Sequence, residues 1–228
     1  MVRLRSIIRA SRTETVVVLS PHLDDAVFSL GAWLHHEARV GATVRILTVL
    51  ANDPVVDGPA GSWDAECGFP SAAAAALARR DEDRRACAIV GARPDWLPYG
   101  DETYGRAESD DEIWQALVAS LNECDVVLAP GFPLMHGDHA WLHRLVVARK
   151  DDLNCALGFY GEQPYASAAA APARPAEFAY VATTLKDVYA KVRACAQYRS
   201  QFRALGARVL LHAFVQERRR GGELVALP

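Results

Sequence analysis

The start of the chain carries the pattern that most constrains its fold, a strand, a helix and a second strand in close succession. Residues 14–20 are largely apolar without alternation, which is typical of a strand buried on both faces. A helical pattern runs from Asp24 or Asp25 to about Val40, and a second strand is predicted over 43–51. This order is that of a βαβ unit, which implies parallel strands and a right-handed crossover.

Strands and helices continue to alternate along the rest of the chain. Together they predict one α/β domain over residues 1–228, with three α/β/α layers and a mostly parallel sheet. Two stretches without periodicity, 52–70 and 163–176, are expected to be active-site or mobile loops. Further helices are predicted over 71–90, 110–122, 140–152, 185–205 and 209–216, and further strands over 95–99, 125–129, 156–161, 178–182 and 223–226.

Composition argues against several classes of function. The 228 residues are 51% hydrophobic and 23% charged, as in an ordinary globular domain, and the net charge of -3 does not favour nucleic acid or an anionic membrane. No apolar run is long enough to span a bilayer, and the N-terminus lacks the apolar core of a signal peptide. The five cysteines form no C-x-x-C pair. We therefore expect a cytoplasmic protein, and no signal indicates its oligomeric state.

Polar side chains able to bind a metal follow the first strand directly. The strand ends in Pro21, and His22, Asp24 and Asp25 come next. In open α/β sheets ligands bind at the carboxyl ends of strands, and imidazole and carboxylate groups are zinc ligands. Two adjacent carboxylates cannot easily point at one ion, so we expect Asp25 to bind metal with His22 and Asp24 to lie beside the metal-bound water.

A second polar segment, from His136 to His139, supplies candidates for a third metal ligand. It follows the predicted strand 125–129, and either histidine would reach the first segment if the two strands are neighbours. Taken singly, a capped helix start explains the first segment and a surface histidine pair explains the second. Their joint occurrence at two strand ends favours a functional site.

These two segments resemble the signatures of the LmbE-like, or PIG-L, family of zinc-dependent N-deacetylases. The family patterns are Pro-His-Pro-Asp-Asp-Glu after a strand and His-Pro-Asp-His. Here they read Pro21-His22-Leu23-Asp24-Asp25-Ala26 and His136-Gly137-Asp138-His139. Weaker similarity at 79–83, 90–92, 160–165 and 198–201 extends the likeness over nearly the whole chain, in the family's order.

The resemblance implies a Rossmann-like fold and hydrolysis of an N-acetyl group on an amino sugar or sugar conjugate by a zinc-activated water. Zn²⁺, or another divalent metal, is the implied cofactor, and a small-molecule amino-sugar conjugate is the implied partner. By position, His22, Asp25 and His139 would bind the metal, Asp24 would be the general base, His136 would stabilise the oxyanion and Asp138 would orient a histidine.

Two further residues are candidates for substrate binding. Arg79 lies where the family often places a residue that contacts the sugar or its aglycone, although an i,i+4 ion pair with Asp83 is an alternative. Asp101, in a loop after a predicted strand, is placed to hydrogen-bond hydroxyl groups. The chain also departs from the signatures: Ala26 replaces a glutamate, and Gly137 replaces a proline and so loosens the turn between the histidines.

Two alternative functions stay open at this point. One is a related amidase that acts on a larger N-acyl group or on a thiol conjugate of an amino sugar. The other is a binding module of the same fold that has lost catalysis. A nucleotide-binding enzyme is disfavoured, because the turn after the first strand has no glycine-rich phosphate loop and its two carboxylates would repel phosphate.

Overall fold

One seven-stranded sheet organises the part of the chain that the computed structural model describes, residues 14–55 and 58–228. The expectation about a signal peptide concerns residues outside these ranges. The strands are β1 (Thr15–Ser20), β2 (Thr43–Thr48), β3 (Ala92–Trp96), β4 (Val126–Phe132), β5 (Ala156–Gly161), β6 (Ala179–Val181) and β7 (Glu223–Ala226). The helices are α1 (Asp25–Val40), α2 (Ser62–Glu66), α3 (Ala72–Val90), α4 (Asp110–Ser120), α5 (Gly137–Ala148), α6 (Leu185–Cys195), α7 (Arg199–Leu205) and α8 (Ala207–Arg220).

The sheet is mostly parallel, as predicted. Its strand order is β3-β2-β1-β4-β5-β7-β6, and the pairings among β1 to β5 are parallel. Strand β7 pairs antiparallel with both β5 and β6. The chain leaves β1 toward β2 on one side and returns to β4 on the other. This reversal of strand order creates a crevice at the carboxyl ends of β1 and β4, where ligands bind in open α/β sheets.

Helices cover both faces of the sheet, which confirms the predicted three layers. Val16 and Val18 of β1 pack in one buried cluster with apolar residues of α1 and α3. Val17 and Leu19 point to the opposite face and pack with apolar residues of α4 and α5. The consecutive apolar residues of β1 therefore reflect burial on both sides. Among the described residues, no helix combines the length and apolarity that crossing a bilayer requires.

Several predicted boundaries were wrong. The third strand starts at Ala92, directly after α3, and not at residue 95. Pro94 lies within it, which is tolerated because β3 is an edge strand. The helix predicted over 185–205 is divided into α6 and α7 near Tyr198, a buried residue whose hydroxyl donates to Asp83. The last helix is longer than predicted, and Gly206, with a φ of +80°, separates it from α7.

Candidate metal and catalytic site

The two polar segments meet at the crevice between β1 and β4. Strand β1 leads into His22, and α1 begins at Asp25; strand β4 leads through a short turn into α5, whose first turn contains His139. The ring centroids of His22 and His139 are 5.2 Å apart, and those of His136 and His139 are 4.9 Å apart. A ligand atom from each of the three histidines lies within 4.8 Å of the others. The structure thus brings both sequence segments to one site.

Three donor atoms at this site form a small triangle. The distance from Asp25 Oδ2 to His22 Nδ1 is 3.1 Å, and from Asp25 Oδ2 to His139 Nε2 it is 3.2 Å. The two nitrogen atoms are 3.3 Å apart. Ligands about 2.0–2.1 Å from a tetrahedral zinc ion lie about 3.3 Å from one another. The dimensions and chemistry of these three donors therefore fit a zinc-sized cation.

Two carboxylates orient the rings of His22 and His139. His139 donates its Nδ1–H to Glu162, and His22 donates its Nε2–H to Asp138 at 3.1 Å. Each ring therefore turns its other nitrogen, the one in the triangle, toward the cation position as a lone-pair donor. Carboxylates that hold metal-binding histidines in this way are a common feature of zinc sites. Asp138 in turn accepts a hydrogen bond from Arg106 at 2.6 Å.

The electrostatics of the site favour a positive charge. Burial lowers the pKa of His22, but hydrogen bonds to Asp138 and Asp25 outweigh this effect and raise it to about 9. Burial likewise lowers the pKa of His139, but the charges and hydrogen bonds of Asp25 and Glu162 outweigh this effect and raise that pKa to about 10. The carboxylates around these two rings stabilise a cation, and a divalent metal bound between them would satisfy the same charges.

His136 differs from the other two histidines. It is the N-cap of α5, and its Nδ1 accepts a hydrogen bond from the Asp138 amide at 3.2 Å. Because that nitrogen accepts, the proton of the neutral ring is on Nε2. Burial and the neighbouring His22 and His139 lower the pKa of His136, which favours this neutral form. His136 is thus arranged as a hydrogen-bond donor beside the triangle.

Asp24 is buried next to the triangle, at the start of α1. It occupies the N-cap of α1, but its carboxylate makes no capping hydrogen bond to the described residues of that helix. Asp24 therefore takes the predicted position at the start of the helix, but its carboxylate does not make the hydrogen bond of a cap. Burial and the charge of Asp25 raise the pKa of Asp24 to about 6, although nearby Arg79 partly offsets this rise.

A cavity of about 480 Å³ opens above these residues. His22, Asp24, Asp25, His136 and Asp138 line one part of it. Both loops that were singled out in the sequence contribute other parts of its lining, together with Arg79 and Asp101. The loop residues are Ser62 and Trp63 from the first, and Gln163, Pro164 and Tyr165 from the second.

Arg79 lines the cavity and has a different partner from the one that the helix spacing suggests. Its Nη1 lies 3.3 Å from Asp64 of α2, and its side chain is buried. Asp83 instead accepts hydrogen bonds from Trp96 and Tyr198. The i,i+4 ion pair considered from the sequence is therefore not the arrangement that forms.

Glu162 was not among the residues predicted for the site. It follows β5, the neighbour of β4, and its second carboxylate oxygen accepts the amide of Leu134 at 2.9 Å. Its position after a strand next to β4 was the signal that could have identified it. Ala26, which replaces the family's glutamate, is packed in the apolar core.

Comparisons with known proteins identify the family and the fold of the chain. The family model described as PIG-L, GlcNAc-PI de-N-acetylase, matches residues 17–150. No curated protein sequence matches the chain. The solved structures that share the fold include three deacetylases. The A40926 pseudoaglycone deacetylase is 24% identical, with a TM-score of 0.77, and the match covers 96% of this chain and 97% of that one.

A second solved structure with this fold is the zinc-inhibited form of teicoplanin deacetylase. It is 20% identical, with a TM-score of 0.78, and the match covers 94% of this chain and 98% of that one. A third is N,N'-diacetylchitobiose deacetylase from Pyrococcus horikoshii. It is 18% identical, with a TM-score of 0.61, and the match covers 94% of this chain and 82% of that one. Because the family model spans more than half of the residues, including both polar segments, this chain belongs to the PIG-L family.

Proposed function

We propose that this protein is a metal-dependent hydrolase that removes the N-acetyl group from an amino sugar or sugar conjugate. The observation that carries the proposal is the triangle of Asp25, His22 and His139 donors at the cavity, with Asp24 beside it. Membership of a family described as de-N-acetylases supports the reaction. The solved neighbours named above are deacetylases of the A40926 pseudoaglycone, of teicoplanin and of N,N'-diacetylchitobiose, which supports a sugar-bearing substrate.

Zn²⁺ is the cofactor that we propose, with His22, Asp25 and His139 as its ligands. Bound there, the metal would lower the pKa of a water molecule and polarise the acetyl carbonyl. Three protein ligands leave one coordination position open, which is the usual arrangement of a catalytic zinc. Glu162 and Asp138 hold the two imidazoles so that little reorganisation is needed when the metal binds.

Asp24 and His136 have complementary roles in this proposal. Asp24 lines the cavity directly beside Asp25 and would take the proton of the attacking water as general base. His136, with its proton on Nε2, would donate a hydrogen bond to the acetyl oxygen as negative charge develops there. Arg79 and Trp63 line the cavity near these groups and would contact the sugar.

Metal analysis combined with a substrate screen tests the proposal. We expect about one divalent metal per chain, and acetyl loss from at least one N-acetylated sugar conjugate by mass spectrometry. The His139→Ala variant should lose both metal and activity, whereas His36→Ala, a change on the outer part of α1, should keep both. Full metal occupancy in His139→Ala would contradict the ligand assignment, and a screen without any deacetylation would contradict the function.

A further inference from the structure

The cavity of the proposed active site is rich in carboxylates and poor in positive side chains. Five acidic residues line it, and among its described lining residues Arg79 is the single Lys or Arg. That arginine is already paired with Asp64 at 3.3 Å. Even with a divalent metal bound and with Arg106 paired to Asp138, the carboxylates outnumber the positive charges. The acidic lining residues are Asp24, Asp25, Asp101, Glu102 and Asp138.

A second feature of the cavity points to a ligand that donates hydrogen bonds. Gln163 lines the cavity and is 7% exposed, and its Oε1 has no hydrogen-bond partner among the described residues. A buried carbonyl oxygen without a donor is unfavourable, and a ligand hydroxyl or N–H group would satisfy it. The phosphate oxygens of a diester are acceptors and could not donate a hydrogen bond to this group.

Glu102 lies close to Gly137 at the start of α5, and its side chain is exposed. The Glu102 amide donates to Asp138 at 3.2 Å, which places it beside the start of α5. A Cβ atom on Gly137 would lie only 2.9 Å from a carboxylate oxygen of Glu102. A larger residue at position 137 would therefore require the end of the Glu102 side chain to shift. With Gly137, this carboxylate keeps its place in the lining of the cavity.

We propose that the cavity selects sugar conjugates with a neutral or cationic aglycone and disfavours phosphate-bearing ones, with Glu102 as a residue that determines this specificity. The inference rests on the proposed function for the acetamide end of the substrate and concerns its other end. The carboxylates of Asp101 and Glu102 and the side-chain oxygen of Gln163 would accept hydrogen bonds from hydroxyl or ammonium groups of such an aglycone. An anionic aglycone would meet like charge and, among the described lining residues, no unpaired Lys or Arg side chain.

Three matched ligands test the selectivity, namely the 2-hydroxyethyl, 2-aminoethyl and 2-(methylphospho)ethyl glycosides of N-acetylglucosamine. Their dissociation constants for the metal-loaded protein are measured by calorimetry, and acetate release is measured separately. At low ionic strength we expect the phosphodiester to bind about tenfold more weakly than the neutral ligand, and the aminoethyl ligand to bind at least as well. The difference should shrink as salt is added.

Variants then connect the selectivity to Glu102. Glu102→Gln should narrow the difference in dissociation constant between the phosphodiester and the neutral ligand. Gly137→Pro, which requires the Glu102 carboxylate to shift, should narrow it to a smaller extent. Proline is favourable at the first residue of a helix, and the extended backbone of His136 is compatible with a following proline. Glu108→Gln also removes one negative charge, but Glu108 lies outside the cavity lining, so this variant should leave the difference in dissociation constant unchanged.

The outcomes separate this inference from the proposed function. The inference would be overturned if the phosphodiester and the neutral ligand bound with equal affinity, or if none of the three ligands bound. It would also be overturned if Glu102→Gln left the difference between their dissociation constants unchanged. Selective binding without acetate release from any conjugate would leave the selectivity standing and count against the deacetylase function.

Discussion

Asp24 and Asp25 are neighbours in the chain, yet their carboxylates have opposite electrostatic environments. Burial acts to raise the pKa of Asp25, but His139 and His22 outweigh it and hold that pKa well below its ordinary range. Burial and the charge of Asp25 raise the pKa of Asp24 to about 6. Adjacent titratable groups whose pKa values are driven apart are typical of catalytic pairs with separate roles. Here one would hold the metal and the other would move the proton.

The Asp24→Asn variant should separate these two roles. The amide cannot accept the proton of the attacking water, so turnover should fall on the order of 10²-fold or more. Metal content should stay at the wild-type level, because Asp25 and the two histidines are unchanged. Acetate release and elemental analysis of the same preparation check both points. Near-normal turnover in Asp24→Asn would exclude Asp24 as the base.

The Glu162→Gln variant should weaken metal binding while all three proposed ligands remain. A neutral amide polarises the ring of His139 less than a carboxylate does, so metal affinity should fall about 10- to 100-fold. Competition with a chromophoric chelator measures this change. Glu66→Gln on α2 serves as the control, because Glu66 is exposed and lies outside the cavity lining. An unchanged dissociation constant for the metal would exclude a supporting role for Glu162.

Among the secondary-structure elements, a buried ion cluster joins α6, α8 and β7 to α1. Lys191 on α6 lies 2.8 Å from Glu217 on α8 and 2.7 Å from Glu223 on β7. Glu223 also accepts the amides of Ala32 and Trp33 of α1, at 2.9 and 2.6 Å. One lysine thus pairs with two buried carboxylates, and the cluster links α6, α8 and β7 to the first helix.

This cluster should make stability depend on pH. Burial raises the pKa of Glu217, Lys191 opposes the rise, Glu223 adds to it, and the result is about 7. Because this value lies above the ordinary 4.5, the protonated carboxyl stabilises the fold at low pH, and that contribution is lost as pH rises through about 7. The unfolding free energy of wild type should therefore fall, relative to Glu217→Gln, between about pH 5 and pH 8. Urea unfolding at both pH values measures it, and a pH-independent difference would contradict this assignment.

Across the whole molecule, the cavity depends on contacts between segments that are far apart in the chain. The Tyr104 hydroxyl donates to Asp64 at 2.7 Å and accepts the amide of Gly61 at 2.9 Å. Asp64 in turn holds Arg79. Tyr104 therefore joins the loop after β3 to the loop around α2 and orients an arginine of the cavity.

The Tyr104→Phe variant should loosen this connection without touching the metal site. Loss of the hydroxyl removes its contacts to Asp64 and Gly61, so KM should rise about two- to tenfold while kcat changes less. Steady-state kinetics on the substrate found in the screen measure both constants. Tyr99→Phe is the matched control, because Tyr99 does not line the cavity and lies in the same segment. A fall in kcat at unchanged KM would contradict a role in substrate positioning.

Much of the fold was predictable because it depends on local patterns. The apolar run of β1 and the helical pattern of α1 indicated the βαβ unit, and the residues after β1 and β4 indicated where a site would form. The boundary of β3 and the break between α6 and α7 were mispredicted. Both depend on tertiary surroundings: an edge position that tolerates Pro94, and the buried contact of Tyr198 with Asp83.

The amino-acid sequence by itself determined the order of the elements and the residues that end two of the strands, since periodicity and polar termini are properties of neighbouring residues. Only the tertiary structure decided that β1 and β4 are adjacent, which brings His22 and His139 together across 117 positions of the chain. It also decided that Glu162 holds His139, that Asp64 pairs with Arg79, and that Gly137 makes room for Glu102. These contacts join distant residues, and their formation depends on how the sheet orders its strands and how its loops pack over them.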